Sequence, residues 1–211
     1  MNSVDNLYEK IVSRYEEESS QNCSLSCGNT LDELNIKQGE YILDLGCGRG
    51  TDTICAAKSA GKGGAAIGLD LTEGMIAIAK ENAVKEKVNN AIFVKGEIEN
   101  LPFPDEYFNC VTSNCVINHA KDKVRVYQEI FRVLKPGGRF VVADAVSKES
   151  LPVEVKNDSE AWAQCFGGAV TEKEYFDSII LAGFQYIDIL NTREYKKNGY
   201  DFTSLIIKAV K

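Results

Sequence analysis

The stretch Tyr41-Ile42-Leu43-Asp44-Leu45-Gly46-Cys47-Gly48-Arg49-Gly50-Thr51 constrains this chain more than any other. An apolar run holding a single acid enters a glycine turn, and a helical pattern follows. That is the pattern of a buried parallel strand, a tight loop and a helix N-terminus. Gly46, Gly48 and Gly50 let the backbone take positive φ and let a ligand approach without an intervening Cβ. Dinucleotide sites carry a similar turn, but two departures argue against one here. The third glycine comes one residue early for G-x-G-x-x-G, and Asp44 sits at the end of the strand. A carboxylate there repels a pyrophosphate and suits an ammonium, so the loop reads as a seat for a cationic, amino-acid-bearing nucleoside.

Apolar spacing extends the reading along the chain. Val4, Leu7, Tyr8, Ile11, Val12 and Tyr15 fall on one face of a helix over 4–18, expected as a lid packed on the sheet or with Tyr15 at the ligand. Thr30 caps a short helix through Leu34. Strands are expected at 40–45, 65–69, 91–95, 107–113 and 139–144, with helices at 51–60, 73–87 and 122–134. Inward positions are Met75, Ile76, Ile78, Ala79 and Ala83 in the second of these helices and Val124, Tyr127, Ile130, Phe131 and Leu134 in the third, which "KPGG" stops at 135–138. Asp70, at the end of the 65–69 strand, stands where doubly wound sheets hold ribose hydroxyls. Residues 146–170 form a helical insertion around Trp162; Thr171 then caps a helix ended by Gly183, and Phe184–Leu190 and Asp201–Val210 are the last strands.

Alternating strands and helices followed by a strand pair predict a doubly wound, mostly parallel α/β sheet. One domain over 1–211 is expected: lid and thiol loop at 1–35, core at 36–145, insertion at 146–170 and C-terminal strand pair at 171–211. Net charge is −7, and no basic cluster exceeds Lys196-Lys197, which argues against a nucleic-acid partner. No membrane-length apolar run or secretory leader is apparent, so a cytoplasmic location and no membrane partner are expected.

Seven cysteines without an export signal do not read as a disulfide scaffold. Cys55 and Cys110 are expected as buried small hydrophobes, and Cys47 as a small residue in the glycine turn. Cys115 follows the fourth strand at its carboxyl end, where open α/β sheets bind ligands. Cys165 lies in the insertion and Cys27 in the N-terminal loop, both able to return over that end. The three either converge or are unrelated buried thiols; spacing leaves both open. Cys23-x-x-x-Cys27 is half a zinc site with no second close pair, so structural zinc is not expected.

The strings "ILDLGCGRG", "IGLD", "VKGEIENLPFPDEYFNCVTSN" and "RVLKPGG", in this order over about residues 30–145, resemble the class I S-adenosylmethionine-dependent methyltransferases. The resemblance implies a Rossmann-like, seven-stranded sheet whose last strand is antiparallel. It implies S-adenosylmethionine held by Asp44, Gly46, Cys47, Gly48, Gly50, Thr51, Asp70, Leu71, Glu97, Ile98 and Asn114, with Tyr15 above it, and Glu97 at the adenine amino group. More narrowly, "SNCVIN" at 113–118, "LP-x-E-V" at 151–155, "W-x-x-C-x-G-G-A" at 162–169 and "S-x-x-C-G-N" ending at Asn29 look like the arsenite methyltransferases.

That likeness implies arsenic(III) on Cys27, Cys115 and Cys165, with Cys23 as a disulfide-exchange partner. It also implies a thiol reductant such as thioredoxin or glutathione. Two departures stand out: His119 occupies a position usually apolar in that family, and the C-terminal region of longer members is absent. Thiolate-bound arsenic(III) has a lone pair and no proton to lose, which suits a chain with one histidine and many thiols. The alternatives are methylation of a small organic metabolite with His119 as base, and a non-catalytic thiol-based metalloid binder or sensor.

Overall fold

The computed structural model describes residues 10–15 and 30–211. Seven strands form one sheet: β1 (Tyr41–Leu45), β2 (Ala65–Asp70), β3 (Ala91–Lys95), β4 (Phe108–Asn114), β5 (Leu134–Ser147), β6 (Asp188–Lys197) and β7 (Tyr200–Val210), in the order 3-2-1-4-5-7-6. Strands β1 to β5 pair in parallel; β7 is antiparallel to both β5 and β6. The sheet is therefore the doubly wound, mostly parallel architecture expected. Its order reverses at β1, between β2 and β4, which places a crevice at the carboxyl ends of those strands.

The helices are α1 (10–15), α2 (Thr30–Leu34), α3 (Thr51–Ala60), α4 (Glu73–Lys85), α5 (Lys123–Val133), α6 (Val153–Lys156), α7 (Ser159–Ala163) and α8 (Glu172–Leu181), with a 3₁₀ turn at Ile117–His119. Local chemistry sets several of their starts. The Asp122 side chain accepts from Arg125 N to open α5, and Thr171 and Glu174 form a reciprocal capping box on α8. One face of the sheet buries Leu43, Val111, Phe140 and Val142 against Val126, Tyr127 and Ile130 of α5 and Tyr175 of α8. On the other, Ile42, Ala66 and Val141 pack on Leu34, Ala56 and Ala57.

Several expectations need correction. The sixth strand is not Phe184–Leu190: Phe184 is core, and β6 begins at Asp188 as a largely exposed edge. The "KPGG" segment does not end the helix at 135–138. The helix stops at Val133, and the segment is a register shift within β5, between the Phe108–Leu134 and Cys110–Arg139 pairs. Ile78, Val124 and Phe131 are only partly buried, while Val126 and Val133 lie in the core. Cys55 is exposed on α3, because its helix position faces solvent; Cys110 is buried as expected. Ile11 of α1 packs on Trp162 of α7, so this helix docks on the insertion rather than on the sheet.

Candidate functional site

Gly46 and Cys47 donate their backbone N–H groups to Leu69 O at 2.7 and 3.0 Å, which closes the turn of β1 against β2. Gly46 has φ +67°, and a Cβ there would overlap the Val116 side chain. Gly48 N donates to Asp70 Oδ2 at 2.9 Å, and Thr72 N donates to Asp70 Oδ1 at 2.9 Å. The Asp70 carboxylate is thus aimed by backbone from both sides of the crevice. Thr72, at the N-cap position of α4, makes no side-chain capping bond.

A cavity of about 540 Å³ opens over this turn, within the range of small-molecule sites. Asp44, Gly46, Cys47, Gly48 and Thr51 line it from the glycine turn, Asp70 and Leu71 from the end of β2, and Glu97 and Ile98 from the loop after β3. Asn114 and Cys115 line it from the end of β4, Cys165 from the insertion and Tyr15 from α1. Gly50 does not line it. A Cβ there would collide with the Phe93 ring and Ala79, so this glycine serves packing beneath the turn. Cys23 and Cys27 lie outside the described residues.

The wall is acidic: Asp44, Asp52, Asp70, Glu97 and Glu99 all face the cavity. Asp44 is 4% exposed and accepts from Thr53 Oγ1 at 2.6 Å. Burial pushes its pKa up to about 7; the Thr53 bond opposes the shift, and the Asp52 and Asp70 charges add to it. Burial also raises Asp70 above the usual carboxylate range. A cluster of reluctant carboxylates is best relieved by a bound cation.

Cys115 and Cys165 line the same cavity as these acids. Cys115 is disulfide-bonded; among the described residues Cys47, Cys55, Cys110 and Cys165 are free thiols. Burial drives the Cys47 thiol pKa far up, and the Asp44 and Asp70 charges reinforce this, so it stays a neutral turn residue. Cys115 and Cys165 both adopt left-handed backbone, φ +58° and +62°. Non-glycine residues in that region store strain and cluster at functional sites. Tyr15 Oη and His119 Nε2 both lie within hydrogen-bond distance of Cys165 Sγ. Among the described residues no group of three His, Cys, Asp or Glu side chains could hold a metal ion, and no helix is long and apolar enough to cross a membrane.

A family model described as a methyltransferase domain matches residues 36–200. The chain belongs to that family. It is 41% identical over 165 residues to an arsenite methyltransferase of Halobacterium salinarum, an alignment covering 78% of this chain and 42% of that protein. The arsenite methyltransferase of Mus musculus is 34% identical over 181 residues, covering 82% of this chain and 45% of the relative. The chain thus spans less than half the length of these relatives. Among solved structures, an arsenic(III) S-adenosylmethionine methyltransferase from Chlamydomonas reinhardtii superposes with a TM-score of 0.80 at 28% identity, covering 94% of this chain and 73% of that one.

The cavity fits S-adenosylmethionine on its own evidence: an acidic wall for a ligand that bears sulfonium and ammonium charges, open space where Gly48 lacks a Cβ, and Asp70 oriented by Gly48 and Thr72. Reading the sequence for sites missed Thr53, which aims Asp44, and Arg14, Arg49, Met75 and Lys197 on the wall. Thr53 was findable, since it stands in the first turn of the helix after the glycine loop. Arg49 was findable too, inside the glycine turn; Arg14, Met75 and Lys197 come from tertiary placement.

Proposed function

We propose that this domain methylates thiolate-bound arsenic(III) with S-adenosylmethionine. The observation that carries the reading is the placement of Cys115 and Cys165, from segments 50 residues apart in the chain, on the wall of the same cavity as the glycine turn, each on strained backbone. The names of the relatives support the same acceptor. Asp44 would hold the amino-acid ammonium, Asp70 the ribose hydroxyls and Glu97, beside Ile98, the adenine amino group. The remaining turn residues and Asn114 would line the bound ligand.

When bound, the cofactor supplies an electrophilic sulfonium methyl. The chain must then position an acceptor in line and keep water out. Cys115 and Cys165, with Cys27 as third ligand, are assigned to arsenic; soft thiolates suit it and enrich its lone pair. Transfer would form a carbon–arsenic bond as the methyl–sulfur bond breaks, leave the cofactor as its neutral thioether, and take arsenic formally to the pentavalent state. Two thiols return the two electrons and end as a disulfide, with Cys23 assigned to the exchange and thioredoxin or glutathione as the external reductant. The Cys115 disulfide must be reduced before that thiol can bind.

His119 is a poor general base for a metabolite hydroxyl: burial holds it down to about 4. The test is incubation of reduced protein with S-adenosylmethionine and arsenite, beside Cys115→Ser and Cys165→Ser. Wild type should release methylarsenicals, and both variants should lose at least 90% of that activity (roughly tenfold). Cofactor binding without any methylarsenical would reject arsenic as acceptor.

A further inference from the structure

Three groups from three segments close a triangle at Cys165. Tyr15 Oη lies 3.2 Å from Cys165 Sγ and 3.1 Å from His119 Nε2, and His119 Nε2 lies 3.1 Å from Cys165 Sγ. The Tyr15 and His119 rings meet edge to face at 5.7 Å. His119 is 8% exposed, and its Nδ1 has no hydrogen-bond partner among the described residues. A buried, unpaired ring nitrogen is destabilising where an apolar side chain would fill the same space without that cost. Its presence calls for a role at Nε2.

The framework around the triangle is rigid. Asn118 donates its N–H and its Nδ2 to the buried Asp144, fixing the 3₁₀ turn that carries His119. Lys123 Nζ donates to Gly168 O at 2.7 Å and to Ala120 O at 3.2 Å, tying that turn to the insertion. Gly168 packs so closely on the Asn118 carbonyl that no Cβ fits. Arg14 and Lys197 donate to Ala163 O and Gln164 O, just ahead of Cys165. The loop is held at both ends, while its sulfur contacts Tyr15 and His119.

We propose that His119, assisted by Tyr15, is a positioning residue for substrate capture, holding Cys165 Sγ on the cavity wall in the orientation that bonds a thiophilic acceptor. The identity of that acceptor rests on the arsenic reading above. In the capture step the Cys165 S–H bond and one As–O bond of arsenite break and an S–As bond forms. The thiol proton leaves with the oxygen as water, and arsenic stays trivalent. His119 and Tyr15 orient the sulfur and end the step unchanged.

The experiment compares wild type with His119→Leu, His119→Gln and Tyr15→Phe in reduced protein. Trp162 is the sole tryptophan and sits three residues before Cys165, so its emission reads arsenite binding without turnover. His119→Leu should raise the arsenite Kd and KM about tenfold and Tyr15→Phe about threefold, as expected for lost hydrogen bonds. kcat should change far less than KM. His119→Gln, which restores a polar group beside the sulfur, should recover most of the loss. Tm of His119→Leu should equal or exceed wild type, since the unpaired nitrogen is gone.

An unchanged Kd and KM in His119→Leu overturns the proposal, as does a loss that tracks a lowered Tm and is not recovered by glutamine. If wild type neither binds nor methylates arsenite, the arsenic reading fails by itself. Positioning is then decided by the alkylation rate of Cys165 with iodoacetamide, followed by peptide mass. A rate altered in both His119→Leu and Tyr15→Phe supports it, and an unaltered one overturns it.

Discussion

If Asp44 holds the ligand ammonium as proposed, cofactor binding should depend on pH, and the size of the effect follows from the burial of Asp44. The carboxyl accepts hydrogen bonds from the Thr53 hydroxyl and backbone, yet burial pushes its pKa up to about 7. In the empty protein its protonated form is the stabilising one. That stability is fully present below the unfolded value of 3.8 and is lost as pH rises through about 7. A ligand ammonium beside the group reverses the preference and holds it ionised. The binding-competent ionised fraction is then about one in thirty at pH 5.5 and about one half at pH 7.

S-adenosylmethionine should therefore bind about fifteenfold more tightly at pH 7 than at pH 5.5, a window below the titration of the ligand's own α-amine. Calorimetry in two buffers of different ionisation enthalpy should show close to one proton released per ligand near pH 6, in proportion to the protonated fraction (about 0.9). Asp44→Asn should bind more weakly and lose the slope, which separates Asp44 from Asp70. A wild-type Kd constant within about twofold across that window, or a slope retained in Asp44→Asn, would refute the ammonium assignment.

Gly168→Ala forces a methyl into the Asn118 carbonyl and must spread the two thiol-bearing turns. It should cost about 1–3 kcal/mol in urea unfolding and weaken arsenite binding while leaving the cofactor Kd near wild type; a stability change below that range would refute the close packing. Arg139 binds both Glu40 oxygens at 2.9 Å and also the Leu34 and Asn35 carbonyls, with both charged side chains largely buried. Arg139→Met strands the Glu40 charge and should lower stability by about 3 kcal/mol. The double variant Arg139→Met/Glu40→Met should recover part of that loss.

Where a segment's role depends on its near neighbours in sequence, it was legible. β1, the glycine turn and α3 follow from an apolar run, positive-φ glycines and a helical pattern, all local signals. α8 follows from its Thr171 cap in the same way, and the structure adds Glu174 as the reciprocal partner. Strand β6 was misplaced because it is an exposed edge whose polar residues, Asp188 to Lys197, carry no alternation. In the irregular chain before it Phe184 enters the core and Ile187 packs against it, while Tyr186 is exposed. Cys55 and Cys110 were indistinguishable by type; only the helix face and the sheet interior separated them.

The sequence by itself determined a doubly wound sheet with a nucleoside-type cavity at β1, because backbone preferences and hydrophobic periodicity act over a few residues. Tertiary structure alone decided that Tyr15, His119 and Cys165 meet within 3.2 Å, although Tyr15 and Cys165 are 150 residues apart. It also decided that buried Lys123 and Asp144 hold the turns carrying His119 and Cys165. Such contacts depend on how the insertion and α1 fold back across the sheet, and packing over that distance leaves no periodic trace in the chain.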